Sequence, residues 1–216
     1  MPTETTTRAE GANRGTSGRT LFLVETAVLA AIVVLMAFTP IGYIKTGALE
    51  ITLIVIPVTV GAVVLGPVGG LILGTVFGLT SFIQCFGLSP FGAALLAISP
   101  VATFIVCVPT RMLMGWLTGV IYKAIKKGNA NSKAALPVAS VCGPLLNTLF
   151  FMSALVICFY RTDYIQGFVQ ALGAKNPFIF VILFVGVNGL IEAIVGIIVS
   201  TAVGKALLVA NARAAR

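Results

Sequence analysis

Apolar positions along this chain gather into six long runs, separated by short stretches rich in Gly, Pro and charged residues. They cover about Leu21–Phe38, Ile51–Leu65, Val68–Phe86, Phe91–Tyr122, Ala134–Phe159 and Phe178–Val209. Roughly 20 apolar residues span a bilayer as a helix. Lipid offers the backbone no hydrogen-bond partner, so such spans must be helical. The pattern predicts an all-α integral membrane protein with six transmembrane helices over residues 20–210. Gly66-Pro67 separates the second run from the third. The first 19 residues are rich in Thr, Gly and Ala, with Arg8, Arg14 and Arg19, and predict a polar, disordered cytoplasmic tail. They are no signal peptide, because the apolar run that follows is too long and no small-residue cleavage pattern precedes it. Residues 211–216 form a short C-terminal tail.

Composition sharpens this picture. Of the 216 residues 58% are hydrophobic and only 9% charged, and the mean hydropathy is +1.09. There is too little polar surface for a soluble enzyme, a disordered protein or a nucleic-acid binder. The net charge of +8 is a topology signal. Three Arg in the N-terminal tail, Lys123, Lys126, Lys127 and Lys133 after the fourth run, and Lys205, Arg213 and Arg216 at the C-terminus all fall on one side if six spans are counted. Basic residues in short loops mark the cytoplasm, so both termini are expected to be cytoplasmic. The other side holds only Lys45, Arg161 and Lys175 among basic residues, with Glu50 and Asp163.

Chemistry is scarce. There is no histidine, and the acids are Glu4, Glu10, Glu25, Glu50, Asp163 and Glu192. Metal sites and general-base catalysis draw on His or clustered carboxylates, so no catalytic residue, metal or cofactor is expected. No G-x-x-x-x-G-K-[ST] motif is present, so the chain is not itself a P-loop ATPase. Cys85, Cys107, Cys142 and Cys158 sit singly in apolar runs and read as small apolar fillers.

Small residues four apart let membrane helices approach closely. Gly66, Gly70, Gly74 and Gly78 form one such row and read as internal packing, as do Gly115 and Gly119. Ala27 and Ala31 form another near the cytoplasmic end of the first run, where either a neighbouring helix or a partner protein fits. Polar groups inside a span are expensive and mark functional sites by default. Asn188, Glu192, Gly196, Ser200 and Gly204 recur at i+4 in the last run, and Asn147 follows Gly143-Pro144 in the fifth. These line a cavity for a small polar solute or only bond helix to helix. Arg111, beyond Pro109, lies about 30 Å along the fourth run, counted from its outer end at 1.5 Å per residue. It is expected toward the cytoplasm, paired with Glu192 or snorkelling, in a structural or coupling role. The outer loops offer Tyr43 and Lys45 within 39–50, Gln84 and Ser89 after the third run, and Tyr160, Arg161, Asp163 and Tyr164. They suit capture of an anionic or hydroxylated solute, or ordinary interfacial anchoring.

Taken in order, Ala27-x-x-x-Ala31, Phe38-Thr-Pro-Ile-Gly-Tyr-Ile, Ile51-Thr-Leu-Ile-Val-Ile-Pro-Val, Gly61-Ala-Val-Val-Leu-Gly-Pro-x-x-Gly, Phe77-Gly-Leu-Thr-Ser and Asn188-Gly-Leu-Ile-Glu-Ala-Ile-Val resemble the substrate-binding S components of energy-coupling factor (ECF) vitamin transporters. The likeness runs over about residues 20–205. It implies a multi-pass protein of the bacterial cell membrane that captures a vitamin from outside. Its partners would be a membrane coupling (T) subunit and two cytosolic ATPase subunits. It implies that Ala27 and Ala31 face the coupling subunit and that loop 39–50 is a lid. The Pro-Ile-Gly-Tyr and Asn-x-x-Ile-Glu-Ala segments look most like the pantothenate branch. Tyr43, Lys45, Gln84, Asn147, Arg161, Asn188 and Glu192 are then the candidate substrate-binding residues. Asn and Glu suit hydroxyls and an amide, and Lys45 or Arg161 suits the carboxylate. Trp116, the single tryptophan, lies near the cytoplasmic end and offers no stacking face to a flat vitamin at an outer pocket. Pyridoxine, hydroxymethylpyrimidine or another small polar solute stays open, as does a self-standing proton-coupled transporter using Glu192. A membrane enzyme or a purely structural subunit is the remaining alternative.

Overall fold

A computed structural model describes the backbone of residues 4–40, 42–45, 50–129, 132 and 134–214, and the side chains of these except 4–17, 43–45, 50–51, 187–188, 190, 192 and 211–214. In chain order the elements are α1 (Glu4–Ala37), β1 (Tyr43–Lys45), β2 (Glu50–Thr52), α2 (Val55–Val64), α3 (Gly66–Gln84), α4 (Pro90–Ile98), α5 (Pro100–Gly128), α6 (Ala135–Phe159), α7 (Asp163–Ala171) and α8 (Pro177–Ala214). Among the described residues, five stretches are long and apolar enough to cross a membrane: Gly18–Ala37, Gly66–Gln84, Pro100–Gly128, Ala135–Phe159 and Ala193–Ala210.

Three predicted elements change. The backbone is helical from Glu4, so helix enters the segment that composition marks as a disordered tail. Once nucleated, a helix gains one hydrogen bond per added residue, and no proline interrupts residues 4–37. The second run begins as strand β2 and continues as the ten-residue α2. At 1.5 Å per residue that helix is about 15 Å long, half the hydrocarbon thickness of about 30 Å. Nearly all of α2 is buried, so its neighbours screen it from lipid. The fourth run, predicted as one helix, is two, because Ser99 turns extended (φ −157°, ψ 105°) between α4 and α5. Its Oγ accepts from the Ala102 amide, and Pro100 takes the first helical position, where a missing N–H costs nothing. Ser89-Pro90 starts α4 in the same way. Helix α8 is kinked at Gly186, whose φ of 43° and ψ of −137° are open only to glycine at low cost.

The most extensive packing is α3 on α5, and the glycine row makes it possible. A Cβ at Gly70 would collide with the Gly115 carbonyl, one at Gly74 with the Arg111 carbonyl, and one at Gly78 with the Val108 backbone. One apolar cluster joins α1, α2, α3 and α5 through Leu29, Val33, Ile54, Val58, Phe77 and Met114. A second joins α4, α5, α6, α7 and α8 through Leu95, Val106, Leu155, Phe159, Ile165 and Phe180. That cluster places the start of α5, the end of α6 and the start of α8 at one end of the bundle.

The strands pair as an antiparallel hairpin, Tyr43 opposite Thr52 and Lys45 opposite Glu50. β2 packs against α8. Gly42, at the hairpin's foot, abuts the Met36 carbonyl where a Cβ would not fit, which explains the glycine of Pro-Ile-Gly-Tyr.

Candidate functional site

Measured from the end shared by α5, α6 and α8, Arg111 and Asn147 fall at one level, and Asn188 follows two residues after the kink of α8. Arg111 is eleven residues into α5, Asn147 twelve residues from the end of α6, and Asn188 eleven residues into α8. At 1.5 Å per residue Arg111 and Asn147 lie about 17 Å from that end. The break at Ser99 is what raises Arg111 to this level. Counted along an unbroken run from residue 91 it would lie about 30 Å in. Arg111 is packed between α3 and α6, so the expectation of a snorkelling arginine is corrected.

Arg111 is only 7% exposed. Its Nη1 donates to the Val106 carbonyl at 3.0 Å and the Cys107 carbonyl at 3.2 Å, and to Thr110 Oγ1 at 3.4 Å. The Phe77 ring of α3 and the Phe151 ring of α6 lie 4.9 and 5.0 Å from Cζ, within cation–π range. Nε is buried without a partner, and among the described residues no carboxylate pairs with the guanidinium. The expected pairing with Glu192 falls on a side chain outside the described residues; backbone carbonyls and ring faces are the partners described.

Asn147 is 8% exposed, and its Oδ1 is buried with no hydrogen bond. It precedes Phe151 by four residues and so shares its helix face. More unpaired hydroxyls are buried in the same interior: Thr59 on α2, Ser140 on α6, and Ser200 and Thr201 on α8. Thr59 packs against Gly143, one turn from Asn147, where a Cβ would strike its hydroxyl. Buried polar groups are normally bonded to protein or water. These unpaired groups are spread along α2, α6 and α8, which pack on one another.

The remaining candidates spread outward. Gln84 is buried at the end of α3, and its Nε2 donates to the Ala37 carbonyl, tying α3 to the last turn of α1 beneath the hairpin. Arg161 is exposed, two residues beyond α6. The backbones of Tyr43 and Lys45 lie in β1, and those of Asn188 and Glu192 in α8, but their side chains fall outside the described residues. Ala27 and Ala31 both lie on the exposed face of α1 with Val24, Val28 and Leu35.

Two features escaped the sequence. Arg111 comes level with Asn147 only once the Ser99-Pro100 capping signal is read as a helix start. Cys85 and Cys107, expected singly, face each other with sulfurs 3.8 Å apart, both buried and both free. Neither position announces the other, since 22 residues separate them.

The family described as ECF transporter, substrate-specific component, matches residues 21–204. The chain is 30% identical over 166 residues to the "Pantothenic acid transporter PanT" of Lactococcus lactis subsp. cremoris, covering 72% of this chain and 76% of that protein. It is 27% identical over 201 residues to the "Pantothenate transporter PanT" of Leuconostoc mesenteroides subsp. mesenteroides, covering 89% of this chain and 94% of that one.

Proposed function

The chain belongs to the substrate-specific component family of ECF transporters, and from that premise we propose that it captures pantothenate at the outer face of the membrane and delivers it inward with a coupling subunit and two cytosolic ATPases. Membership makes it a multi-pass transport protein of the bacterial cell membrane and not an enzyme. The relatives named for pantothenate support the choice of vitamin.

In this reading the chain crosses the membrane six times with both termini in the cytoplasm, α2 serving as a partial span inside the bundle. The observation that carries it is the buried, unpaired Oδ1 of Asn147. An unsatisfied buried acceptor costs about 1–3 kcal/mol. A solute hydroxyl or amide N–H removes that penalty. Asn188 and Glu192 of α8, with Gln84 and Tyr43, are the further candidate contacts of that guest. Lys45 and Arg161 draw an anion toward the opening. The hairpin of β1 and β2 closes above as a lid, supported by its contact with α8. Ala27 and Ala31 offer the coupling subunit a close-approach surface.

One feature favours a flat-ring vitamin such as pyridoxine as second reading. Phe91, Tyr164, Phe168, Phe180 and Phe184 form a continuous aromatic cluster at the outer end, with ring centroids 5.0 to 6.2 Å apart. Burial holds the Tyr164 hydroxyl above its usual pKa, so it stays a neutral donor beside those rings.

The decisive experiment purifies the chain alone and identifies by mass spectrometry the solute it carries. Pantothenate released on denaturation is the expected result. A pyridine vitamin moves the reading to the second choice. Uptake by the lone chain, abolished by a protonophore, overturns the coupled mechanism.

A further inference from the structure

We infer that Cys85 and Cys107 are an oxidation site, a dithiol that closes to a disulfide across the α3–α5 seam. Two thiols are convertible when their sulfurs meet and the backbone lets them reach bonding distance. Here the sulfurs lie 3.8 Å apart. A disulfide bond is about 2.0 Å long, so each sulfur has to travel only about 1 Å.

The two ends of the pair differ in freedom. Cys107 stands in the interior of α5, held by helix on both sides. Cys85 caps the end of α3, and the chain beyond it turns through Phe86, Gly87 and Leu88. Gly87 has a φ of 125°, which glycine adopts at low cost. Space around the Cys85 sulfur is left by Gly92 of α4, where a Cβ would come within 2.6 Å of it. The rest of the wall is apolar: Phe82, Leu96, Val108 and Met112 pack on the pair. Cys142 and Cys158 are more exposed than either member. They stand sixteen residues apart on α6, about 24 Å along the helix, and so cannot bridge each other.

Both thiols are buried, which favours a small oxidant, and a hydroperoxide fits. Exposed Phe86 beside Cys85 marks the approach, from the end of α3. One sulfur attacks the O–O bond of hydrogen peroxide and takes an OH, becoming a sulfenic acid, while water leaves with the thiol proton. The neighbouring sulfur then attacks the sulfenic sulfur. The S–S bond forms, and the OH leaves as water with the second thiol proton. Two thiols give up two electrons and two protons, and one peroxide becomes two waters. The link spans 22 residues, enclosing α4 and the break at Ser99. It ties together the two helices that pack most extensively. A cross-link restricts the unfolded chain, so closure stabilises the bundle and a thiol reductant reverses it.

The test treats the purified chain in detergent with a slight molar excess of hydrogen peroxide, then unfolds it and alkylates the remaining thiols. Two of the four thiols should disappear, Cys85 and Cys107 together. Chymotrypsin cuts after Phe86 and Phe91, between the two cysteines, so a joined pair of peptides should appear and separate on reduction. The oxidised chain should melt several degrees higher than the reduced one, and dithiothreitol should return it to the starting value. The Cys142→Ala/Cys158→Ala double variant should keep the whole response. Cys85→Ala and Cys107→Ala should each abolish it.

Consumption of Cys142 or Cys158 ahead of the pair, as exposure alone would dictate, overturns the inference. So does oxygen added to Cys85 or Cys107 without a link, a link between two copies of the chain, or peroxide that leaves all four thiols free. A link that forms without raising the melting temperature overturns the stabilising role. If a single-alanine variant does not fold, the double variant decides alone, because it contains this pair and no other thiol.

Discussion

Gly74 on α3 lies against the backbone carbonyl of Arg111 on α5, with no room for a Cβ between them. A tight contact of the α3–α5 seam is therefore also the support of the buried charge. Gly70 and Gly115 form the next contact down the same seam, each meeting the other's carbonyl. A backbone locked at this point gives the Arg111 side chain a fixed origin.

Gly74→Ala should force α3 and α5 apart. Overpacking a tight site typically costs about 1–3 kcal/mol, and thermal unfolding in detergent should register a clear drop. Gly167→Ala is the matched control, since nothing lies within 4 Å of its would-be Cβ. Equal melting temperatures for the two variants would show that the seam is slack.

Asn147→Leu separates binding from packing. If the amide serves the solute, the variant loses ligand affinity by roughly 10-fold or more. Its ligand-free stability stays level or rises, because an unpaired buried acceptor has been removed. An interhelical role predicts the reverse: lowered stability with affinity kept. Calorimetric titration beside a melting curve decides between them.

Ser99 bonds the start of α5 three times, its Oγ accepting from Ala102 N and its carbonyl accepting from Thr103 N at 3.0 Å and Thr103 Oγ1 at 2.9 Å. Ser99→Ala removes the first bond and should cost about 1 kcal/mol, the usual worth of an N-cap. Since that cap separates α4 from α5, the loss should also appear as faster amide exchange around residues 98–102. Exchange rates equal to wild type at those residues would rule the cap out as the determinant of the break.

Replacing Ala27 and Ala31 together by Leu adds bulk to the exposed face of α1. Ligand affinity of the lone chain should stay within about two-fold, under half of one 1.4 kcal/mol step. Co-purification with the coupling subunit and ATP-driven uptake in vesicles should be lost. Retained uptake would move the coupling surface elsewhere.

Much of this molecule was legible in the chain itself. Lipid forces apolar runs into helices, so composition alone determined a helical membrane protein, though not its β1–β2 hairpin, and the i+4 glycine row announced a close helix pair before its partner was known. Asn147, Asn188 and Glu192 stood out because polar groups in apolar runs carry their cost on their face. Hydropathy is blind, however, to a backbone that turns without becoming polar. Ser99-Pro100 interrupts a helix inside an apolar run, and the twin signal at Ser89-Pro90 sits just ahead of it. As one unbroken helix the run would set Arg111 deeper than Asn147, not level with it.

Tertiary structure alone decided the rest. Which faces of α5 and α6 meet depends on helix rotation, and one residue of change turns a side chain by about 100°. So only the packed bundle puts Phe77 and Phe151 around one guanidinium, brings Cys85 to Cys107, and leaves the acceptor of Asn147 unbonded. The sequence determined what had to be buried. The packing of the helices decided which buried groups were left without partners, and a binding site is made of those.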